Sequence, residues 1–347
     1  MGQPPCSPTP WLLVGAAALS LGCTAAAPEA SEVATSYHRL EGEAFGTTWH
    51  LTWAGPEPEV VEPLVTEVLA RVDQRMSSWR PDSELSAIRQ GPGVVVVSEE
   101  TAEVVSAALS LADATHGAFD PTVEPLMELW GFRGERPAQP PTDEQIASVM
   151  DRVGFHRVEL FRHGGLPLVD AHGAALDLSA IAKGHGVDAV HHALSLRGAT
   201  DLLVEIGGEV RVSGQGPSGL WSLAVEAPAP DAAPGEQRTG VLRVSNVGLA
   251  TSGNYRSAYT LDGVEVVHTM DPRTGRPRAG EVLAATVVAP TTRAADGWAT
   301  ALMVLPVDEG QELIERHAEL EALWVVDVDG RPQVRASSGM PDVTPAP

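Results

Sequence analysis

Apolar residues recur every three or four positions in several stretches of the chain, and this spacing is typical of amphipathic helices. In residues 59–76, the apolar positions that share one helical face are Val61, Leu64, Val65, Val68, Leu69 and Val72. Residues 98–117 predict a second helix, with Ser98 as its N-cap and Gly117 as its stop. Each segment is long enough to bury an apolar face against a core.

Three later segments also predict helices. Thr142 and Gln145 have the spacing of a capping box, which predicts a helix within residues 142–154. Apolar spacing predicts the next helices over residues 187–197 and 293–305. The glycine-containing stretch before residue 187 is interpreted as a turn that leads into a helix.

Strand patterns cluster in the second half of the chain. They are "DLLVEIGGEVRVSG", "WSLAVEA", "GVLRVSN", "VEVVHTM", "LAATVVAP" and "ALWVVDV". Short glycine-containing turns between several of them favour antiparallel pairing. Helices and strands do not alternate regularly, so we predict an α+β fold of largely antiparallel sheets packed with helices. Residues 37–330 are expected to form a single compact domain, and residues 331–347 a disordered tail.

The first 22 residues carry no charged side chain, and the apolar run at residues 11–21 is too short to span a bilayer. Residues 1–22 therefore predict a secretion signal. Small and apolar residues directly before Cys23 predict a lipoprotein cleavage site, with Cys23 as the lipidated N-terminus. Residues 23–36 would then be a lipid-anchored tether, and the protein an exported bacterial lipoprotein on the periplasmic side of a membrane. Plain secretion is the alternative.

The formal net charge of −23 argues against nucleic acid as a partner. An anionic substrate would need a local source of positive charge, such as a cation, a metal ion or a helix N-terminus. Lys183 is the only lysine of the chain and lies among small residues in "LDLSAIAKGHGVDAV". Such a stretch can cradle a phosphate, or it can be a glycine-rich turn with an exposed lysine.

Three further positions carry candidate chemistry. Asp296 and Thr300 are four residues apart on a predicted helix, and their hard oxygen atoms suit Mg²⁺. Helix capping and a bond from Thr300 back to its own helix are the alternative. His268 ends a strand beside the turn "DPRTGRP", where it is either a general base or a turn cap.

Eight motifs occur in one order over residues 45–305. They are "FGTTWHL", "RMSSWRPDSELSAI", "GAFDPTVEPL", "LDLSAIAKGHGVD", "LVEIGGEVRVSG", "ATSGNYRSAY", "HTMDPRTGRP" and "TTRAADGWATALMVL". In this order the chain resembles the ApbE-type FAD:protein FMN transferases, periplasmic enzymes that attach FMN covalently to other proteins. The resemblance implies a single compact catalytic domain over residues 37–330, with an ApbE-like or T-fold-like arrangement.

The resemblance also implies the roles of individual residues. Magnesium would be held by the side chains of Asp296 and Thr300 and by the backbone carbonyl of Ala180. FAD, as substrate, would contact Phe45, Trp79, Ala118, Phe119, Asp120, Lys183 and Met270. His268 would act in catalysis.

The implied reaction moves FMN from FAD to a Thr or Ser hydroxyl of an acceptor protein and releases AMP. Implied acceptors are electron-transfer subunits of the sodium-pumping NADH:quinone reductase type. Two alternatives stay open, namely hydrolysis of FAD to FMN and AMP, and a non-catalytic lipoprotein that binds flavin.

The chain departs from the family pattern at several positions. Phe45 stands where methionine is usual, and Trp79 where tyrosine is common. "SAIAKG" replaces the commoner "GGIAKG", which makes a turn at Ser179 and Ala180 less permissive. Asn254 replaces a frequent aspartate. None of these changes removes an implied metal ligand.

Overall fold

The computed structural model describes residues 35–90, 93–228, 238–254, 258–278 and 280–344. The predicted signal segment, Cys23 and all but the last two residues of the predicted tether lie outside the described residues. From Thr35 onward the described residues form one compact unit. None of their helices combines the length and apolar character that crossing a bilayer requires.

Five of the α-helices that the structure describes overlap the predicted segments, and the other three were not predicted. Their bounds are Pro58–Met76 (α1), Glu84–Gln90 (α2), Glu99–Ala114 (α3), Glu124–Leu129 (α4), Asp143–Met150 (α5), Ser179–Leu196 (α6), Thr292–Val304 (α7) and Val307–Glu315 (α8). Ser98 caps α3 by accepting a hydrogen bond from the Thr101 N–H at 3.2 Å. Thr142 and Gln145 make both bonds of the capping box that opens α5. The predicted caps are therefore confirmed.

Helix α6 begins at Ser179, before the glycines of "AKGHG" rather than after them. The interpretation of this stretch as a turn is wrong. A Cβ on Gly184 would lie 2.5 Å from the Thr292 carbonyl oxygen, and one on Gly186 would lie 2.7 Å from the Phe45 ring. Glycine is thus required here by close packing of other segments against α6, and not by a turn.

The strands form one large and several small sheets. Their bounds are His38–Ala44 (β1), Thr47–Trp53 (β2), Val95–Val96 (β3), Glu159–His163 (β4), Leu166–Asp170 (β5), Leu202–Ile206 (β6), Glu209–Ser213 (β7), Trp221–Glu226 (β8), Arg238–Val244 (β9), Val247–Gly253 (β10), Ala258–Leu261 (β11), Val264–Val267 (β12), Met270–Asp271 (β13), Arg276–Pro277 (β14), Val282–Ala289 (β15), Glu321–Val328 (β16) and Arg331–Ala336 (β17). The large sheet has the order β1-β2-β6-β7-β10-β15-β16-β17, and the sheet β3-β5-β4 and three two-stranded pairs complete the set. Within the large sheet, each strand is antiparallel to its neighbours.

Two layers cover the large sheet. Along β15, Ala285 and Val287 pack into the core formed with α3, α6 and α7. Their neighbours Ala284 and Val288 pack with the β8–β9 pair. This alternation follows from the two-residue period of a strand, which sends successive side chains to opposite faces. The predicted α+β fold of antiparallel sheets packed with helices is confirmed.

The predicted disordered tail is wrong for its first part. Strand β17 pairs with β16 along its whole length, from Ala336 opposite Leu323 to Arg331 opposite Val328. Farther on, Thr344 makes an isolated bridge to Val241. All six residues of β17 are exposed, so this edge strand is held by main-chain hydrogen bonds and shows no apolar pattern. Residues 345–347 lie outside the described ranges.

Candidate active site

A cavity of about 970 Å³ lies between the β1–β2 turn, the end of α1 and the first turns of α6. Phe45, Trp79 and Lys183 all line it, although they come from three separate parts of the chain. The volume lies at the upper end of the range for small-molecule and cofactor sites. Three of the residues that the resemblance assigns to FAD therefore share one cavity.

Phe45 and Gly46 form the two-residue turn between β1 and β2, where Ala44 pairs with Thr47. Both have positive φ, at 53° for Phe45 and 75° for Gly46. A two-residue hairpin of this type requires positive φ at both positions, and an aromatic residue there is strained. In this turn conformation the Phe45 ring forms part of the cavity wall and lies against Gly186 of α6.

Trp79 keeps 78% of its surface exposed, an unusual value for a tryptophan. The guanidinium of Arg133 lies 4.4 Å from its ring centroid. The same guanidinium donates to Ser78 Oγ at 2.9 Å and to Asp177 Oδ2 at 3.1 Å. These bonds hold Arg133 as a support for one face of the indole ring, so the ring can offer its other face to a flat ligand.

Glu124 on α4 belongs to the same network of charges. One of its carboxylate oxygens pairs with the guanidinium of Arg89, while Oε2 is buried with no hydrogen-bond partner among the described residues. Burial raises the pKa of Glu124 to about 7; the charge of Asp177 adds to this effect, and Arg89 and Arg133 oppose it. A buried acid with a pKa near neutral pH thus interacts electrostatically with Arg133, the residue that supports Trp79.

The substitution Glu124→Gln should flatten the pH dependence of the free energy of unfolding between about pH 4.5 and pH 7. Folding raises this pKa from 4.5 to about 7, so the folded state binds more protons and its stability falls as pH rises through this window. The full loss above pH 7 is about 3 kcal/mol. Glutamine keeps an acceptor for Arg89 and has no proton to lose.

Urea unfolding of the wild type and the variant between pH 4.5 and pH 8 measures the difference between the two slopes. Glu135→Gln is the matched control, because Glu135 is exposed and does not contribute to the raised pKa of Glu124. We expect this control to keep the wild-type slope. Identical slopes for Glu124→Gln and the wild type would contradict the raised pKa.

Lys183 belongs to a cluster of charged side chains beside the cavity. Its ammonium pairs with Oε1 of Glu209, the first residue of β7, and both it and Glu209 interact electrostatically with Asp296. Burial raises the pKa of Glu209 and of Asp296, while the positive charge of Lys183 opposes the rise in both. Two buried carboxyl groups share one ammonium, so the cluster can accept a further cation.

Asp296 and Thr300 lie one turn apart on α7, as their spacing predicts. Asp296 Oδ2 accepts a hydrogen bond of 2.9 Å from the N–H of Gly184 on α6, and Thr300 Oγ1 lies 3.4 Å from Ser252 Oγ. In a helix, the N–H of Gly184 faces the carbonyl of Ala180 four residues earlier. Asp296 competes for this donor, which leaves the Ala180 carbonyl with lone-pair capacity for another partner.

These groups fit a magnesium ion. A carboxylate, a hydroxyl and a carbonyl are hard oxygen donors of the kind that Mg²⁺ prefers. No group of three or more His, Cys, Asp or Glu side chains in the described ranges has the arrangement of a metal site. Magnesium held at Asp296 would therefore complete its shell with water and substrate phosphate oxygens. Nearby, Oε2 of Glu209 is buried without a hydrogen-bond partner among the described residues.

The predicted FAD contacts Ala118, Phe119 and Asp120 are buried. The Asp120 carboxylate accepts hydrogen bonds from the N–H and hydroxyl of Thr122, at 2.8 and 2.6 Å, and from the N–H of Phe155, at 2.8 Å. Burial raises the pKa of Asp120, and these donors oppose the rise. The observed role of Asp120 is to tie its loop together, and its contact with FAD stays a prediction.

His268 and Met270 follow β12. The His268 ring is half-buried, with its centroid 6.4 Å from that of Phe132, the residue before Arg133. Between His268 and Met270, the hydroxyl of Thr269 donates a hydrogen bond of 2.6 Å to Asn254 Oδ1. The asparagine that departs from the family pattern therefore anchors this segment. Met270 is buried in an apolar cluster with residues of α4 and α5. Its contact with FAD also stays a prediction.

Sequence reasoning missed two residues that shape the site. Glu209 lies inside the quoted motif "LVEIGGEVRVSG", where an acid directly after a two-glycine turn was a usable signal. Arg133 had no such signal, because Trp79 and Asp177 approach it only in the folded chain. Both residues support a group that was predicted, namely Lys183 and Trp79.

The cavity joins an exposed aromatic ring and an apolar wall to a cluster of buried charges, which suits a large ligand with a flat part and an anionic part. The chain belongs to the ApbE family, whose model matches residues 45–324. It is 35% identical to a FAD:protein FMN transferase of Vibrio cholerae, over 94% of this chain and 97% of that protein. A FAD:protein FMN transferase of Haemophilus influenzae is 34% identical over 88% of this chain and 91% of its own length.

Solved structures agree with this family. The fold is similar to the flavin transferase ApbE of Vibrio cholerae, with a TM-score of 0.77 at 34% identity, covering 88% of this chain and 98% of that one. It is also similar to the apo form of the Pseudomonas stutzeri flavinyl transferase ApbE, with a TM-score of 0.77 at 31% identity, covering 88% and 95% of the two chains. The ApbE-like fold implied by the motifs is thereby confirmed.

Proposed function

We propose that this chain transfers FMN from FAD to a threonine or serine hydroxyl of an acceptor protein and releases AMP. The observation that carries the proposal is a single cavity lined by Phe45, Trp79 and Lys183. A flavin ring needs a flat apolar surface and a pyrophosphate needs positive charge, and FAD contains both groups. The names of the relatives, FAD:protein FMN transferases, support the same reaction.

Each end of the substrate has a candidate partner. Trp79, backed by Arg133, would stack on the flavin ring. Lys183, held by Glu209, would lie near the pyrophosphate. Magnesium held by Asp296, Thr300 and the Ala180 carbonyl would supply charge neutralisation to the leaving phosphate.

In the proposed reaction, the acceptor hydroxyl oxygen forms a bond to the phosphorus on the FMN side. The bond between this phosphorus and the bridging oxygen breaks, and AMP leaves with that oxygen and its electron pair. The hydroxyl proton passes to the imidazole of His268, a group suited to accept a proton near neutral pH. FMN remains joined to the acceptor through a phosphodiester.

The proposal extends to where the protein works. Lipidation at Cys23 would anchor it to a membrane on the periplasmic side, where exported acceptor proteins are available. Subunits of electron-transfer complexes of the sodium-pumping NADH:quinone reductase type are the proposed acceptors. Labelling with a radioactive fatty acid, compared between the wild type and Cys23→Ser, tests the anchor.

Incubation of the protein with FAD, Mg²⁺ and a peptide tests the activity, where the peptide carries the acceptor pattern that the family resemblance implies, Asp/Ser-Gly-x-Thr. We expect the peptide to gain the mass of FMN less one water. Formation of FMN and AMP with an unmodified peptide would instead indicate hydrolysis. Unchanged FAD would indicate a protein that binds flavin without catalysing a reaction.

The substitution Phe45→Asn should weaken FAD binding roughly tenfold, because it removes an aromatic wall of the cavity. Asparagine adopts positive φ more readily than phenylalanine, so relief at the turn should partly offset the lost packing. Fluorescence titration with FAD and thermal unfolding measure the two effects. Phe45→Met keeps an apolar side chain at this position and should bind FAD like the wild type. Equal FAD affinity for Phe45→Asn and Phe45→Met would contradict the wall assignment.

A further inference from the structure

Asp188, on α6, bonds to the beginning of α7. Its Oδ1 accepts a hydrogen bond of 3.0 Å from the N–H of Thr292, and its Oδ2 accepts one of 2.9 Å from the N–H of Arg293. These are the first two residues of α7, whose N–H groups have no partner within their own helix. One carboxylate therefore joins the body of one helix to the N-terminus of the other.

The two helices joined in this way carry the proposed magnesium ligands. Ala180 lies on α6, and Asp296 and Thr300 lie on α7. Between them the helices touch without an intervening side chain, since a Cβ on Gly184 would lie 2.8 Å from the Asp296 Cβ. The position of the Ala180 carbonyl relative to Asp296 thus depends on how α6 and α7 are held together.

Asp188 has support from the large sheet as well. Arg211 of β7 has a guanidinium nitrogen 3.5 Å from Asp188 Oδ1, and the same nitrogen donates to the Pro290 carbonyl. Pro290 lies just before α7, so Arg211 contacts both the carboxylate and the segment that it holds. This arrangement restricts the side chain of Asp188 to one orientation.

We propose that Asp188 is a positioning residue for the metal site, which sets the Ala180 carbonyl against Asp296 and Thr300. The inference rests on the proposed function, because it assumes a magnesium ion at these ligands. Mg²⁺ demands near-octahedral geometry at short distances, so a small shift between α6 and α7 reduces its affinity. Asp188 is not among the proposed ligands; it joins the two helices, and its negative charge also acts on Asp296.

The chain contains a matched control for this role. Thr291 also caps α7, by accepting the N–H of Ala294 at 3.2 Å, but it belongs to the same segment and makes no bond to α6. Removal of either cap lowers helix stability. Of the two substitutions, only the one at Asp188 removes bonds between α7 and α6.

The experiment is a calorimetric titration of the full chain with Mg²⁺ alone, together with thermal unfolding. We expect Asp188→Ala to weaken Mg²⁺ binding at least about tenfold, the usual effect of losing a residue that orients metal ligands. Thr291→Ala should lower the unfolding temperature similarly and keep wild-type Mg²⁺ affinity. Equal Mg²⁺ affinities for the two variants would overturn the inference.

Asp188→Asn keeps the proposal testable if the alanine variant does not fold. Asparagine retains one acceptor oxygen but presents an amide N–H₂ to the other backbone donor. We expect its Mg²⁺ affinity to lie between those of the wild type and Asp188→Ala, and wild-type affinity would overturn the inference. A wild type that binds no Mg²⁺ would overturn the metal assignment and this inference together.

Discussion

Replacing Asp296 by alanine should reduce FMN transfer at least about 1,000-fold at saturating FAD, because a metal ion contributes several kcal/mol to stabilising charge in the transition state. Asp296 is buried on α7, and its carboxylate bonds to the N–H of Gly184. Alanine removes the only carboxylate among the proposed ligands. Initial rates over a range of Mg²⁺ concentrations measure the effect.

Two further variants separate loss of the metal ligand from damage to the helix. Asp296→Asn keeps an acceptor for Gly184 but loses the charge, so its rate should also fall strongly. Arg293→Ala removes an ion pair of the same helix with Glu103, outside the site, and should keep wild-type activity. Full Mg²⁺-dependent activity in Asp296→Ala would rule out Asp296 as a metal ligand.

The substitution His268→Ala should leave FAD binding in place and reduce transfer by about 100- to 10,000-fold, the usual contribution of a general base. His268 follows β12 and lies beside Phe132, within the segment anchored by Thr269 and Asn254. The alanine substitution should leave this anchor intact, because the hydrogen bond to Asn254 is made by the side chain of Thr269. FAD titration and single-turnover transfer to the acceptor peptide measure binding and chemistry separately.

His192→Ala is the control for this prediction, because His192 is exposed on α6. Its rate and FAD affinity should equal those of the wild type. If His268→Ala transferred FMN at the wild-type rate, another group would have to accept the hydroxyl proton. If it instead lost FAD affinity without a change in the bound rate, His268 would belong to the binding surface.

Local features of the fold could be predicted from the sequence. The caps at Ser98 and Thr142 depend on donors and acceptors within one turn, and both are present. The pairing of Asp296 with Thr300 on one helix face depends only on the helical repeat. Each of these predictions needed no knowledge of what lies across the fold.

Features set by distant segments could not be predicted in the same way. Gly184 and Gly186 suggested a turn, but they lie in a helix, and glycine is needed there because Thr292 and Phe45 approach too closely for a side chain. Strand β17 shows no apolar pattern, and main-chain bonds to β16 hold it at the edge of the sheet. The contacts that decide the two glycines come from segments far away in the sequence, whereas β17 forms a hairpin with the strand directly before it, which an apolar pattern does not reveal.

The candidate site also contains residues that could be predicted from the sequence and residues that could not. The small residues around Lys183 suggested either a phosphate cradle or an exposed turn, and Lys183 lines the cavity. Glu209, which pairs with it, had a sequence signal that was not used, whereas Arg133, which supports Trp79, had none. The sequence thus indicated groups that would touch a ligand, whereas the groups that orient them depend on tertiary structure.

Simultaneous measurement of AMP and of flavin bound to the acceptor peptide tests FMN transfer most directly. The protein is incubated with FAD and Mg²⁺ and with either the threonine-containing peptide or a matched peptide with valine in place of threonine. We predict equal amounts of AMP and flavinylated peptide with threonine, and neither product with valine. AMP released at the same rate with both peptides, without any peptide mass gain, would contradict FMN transfer.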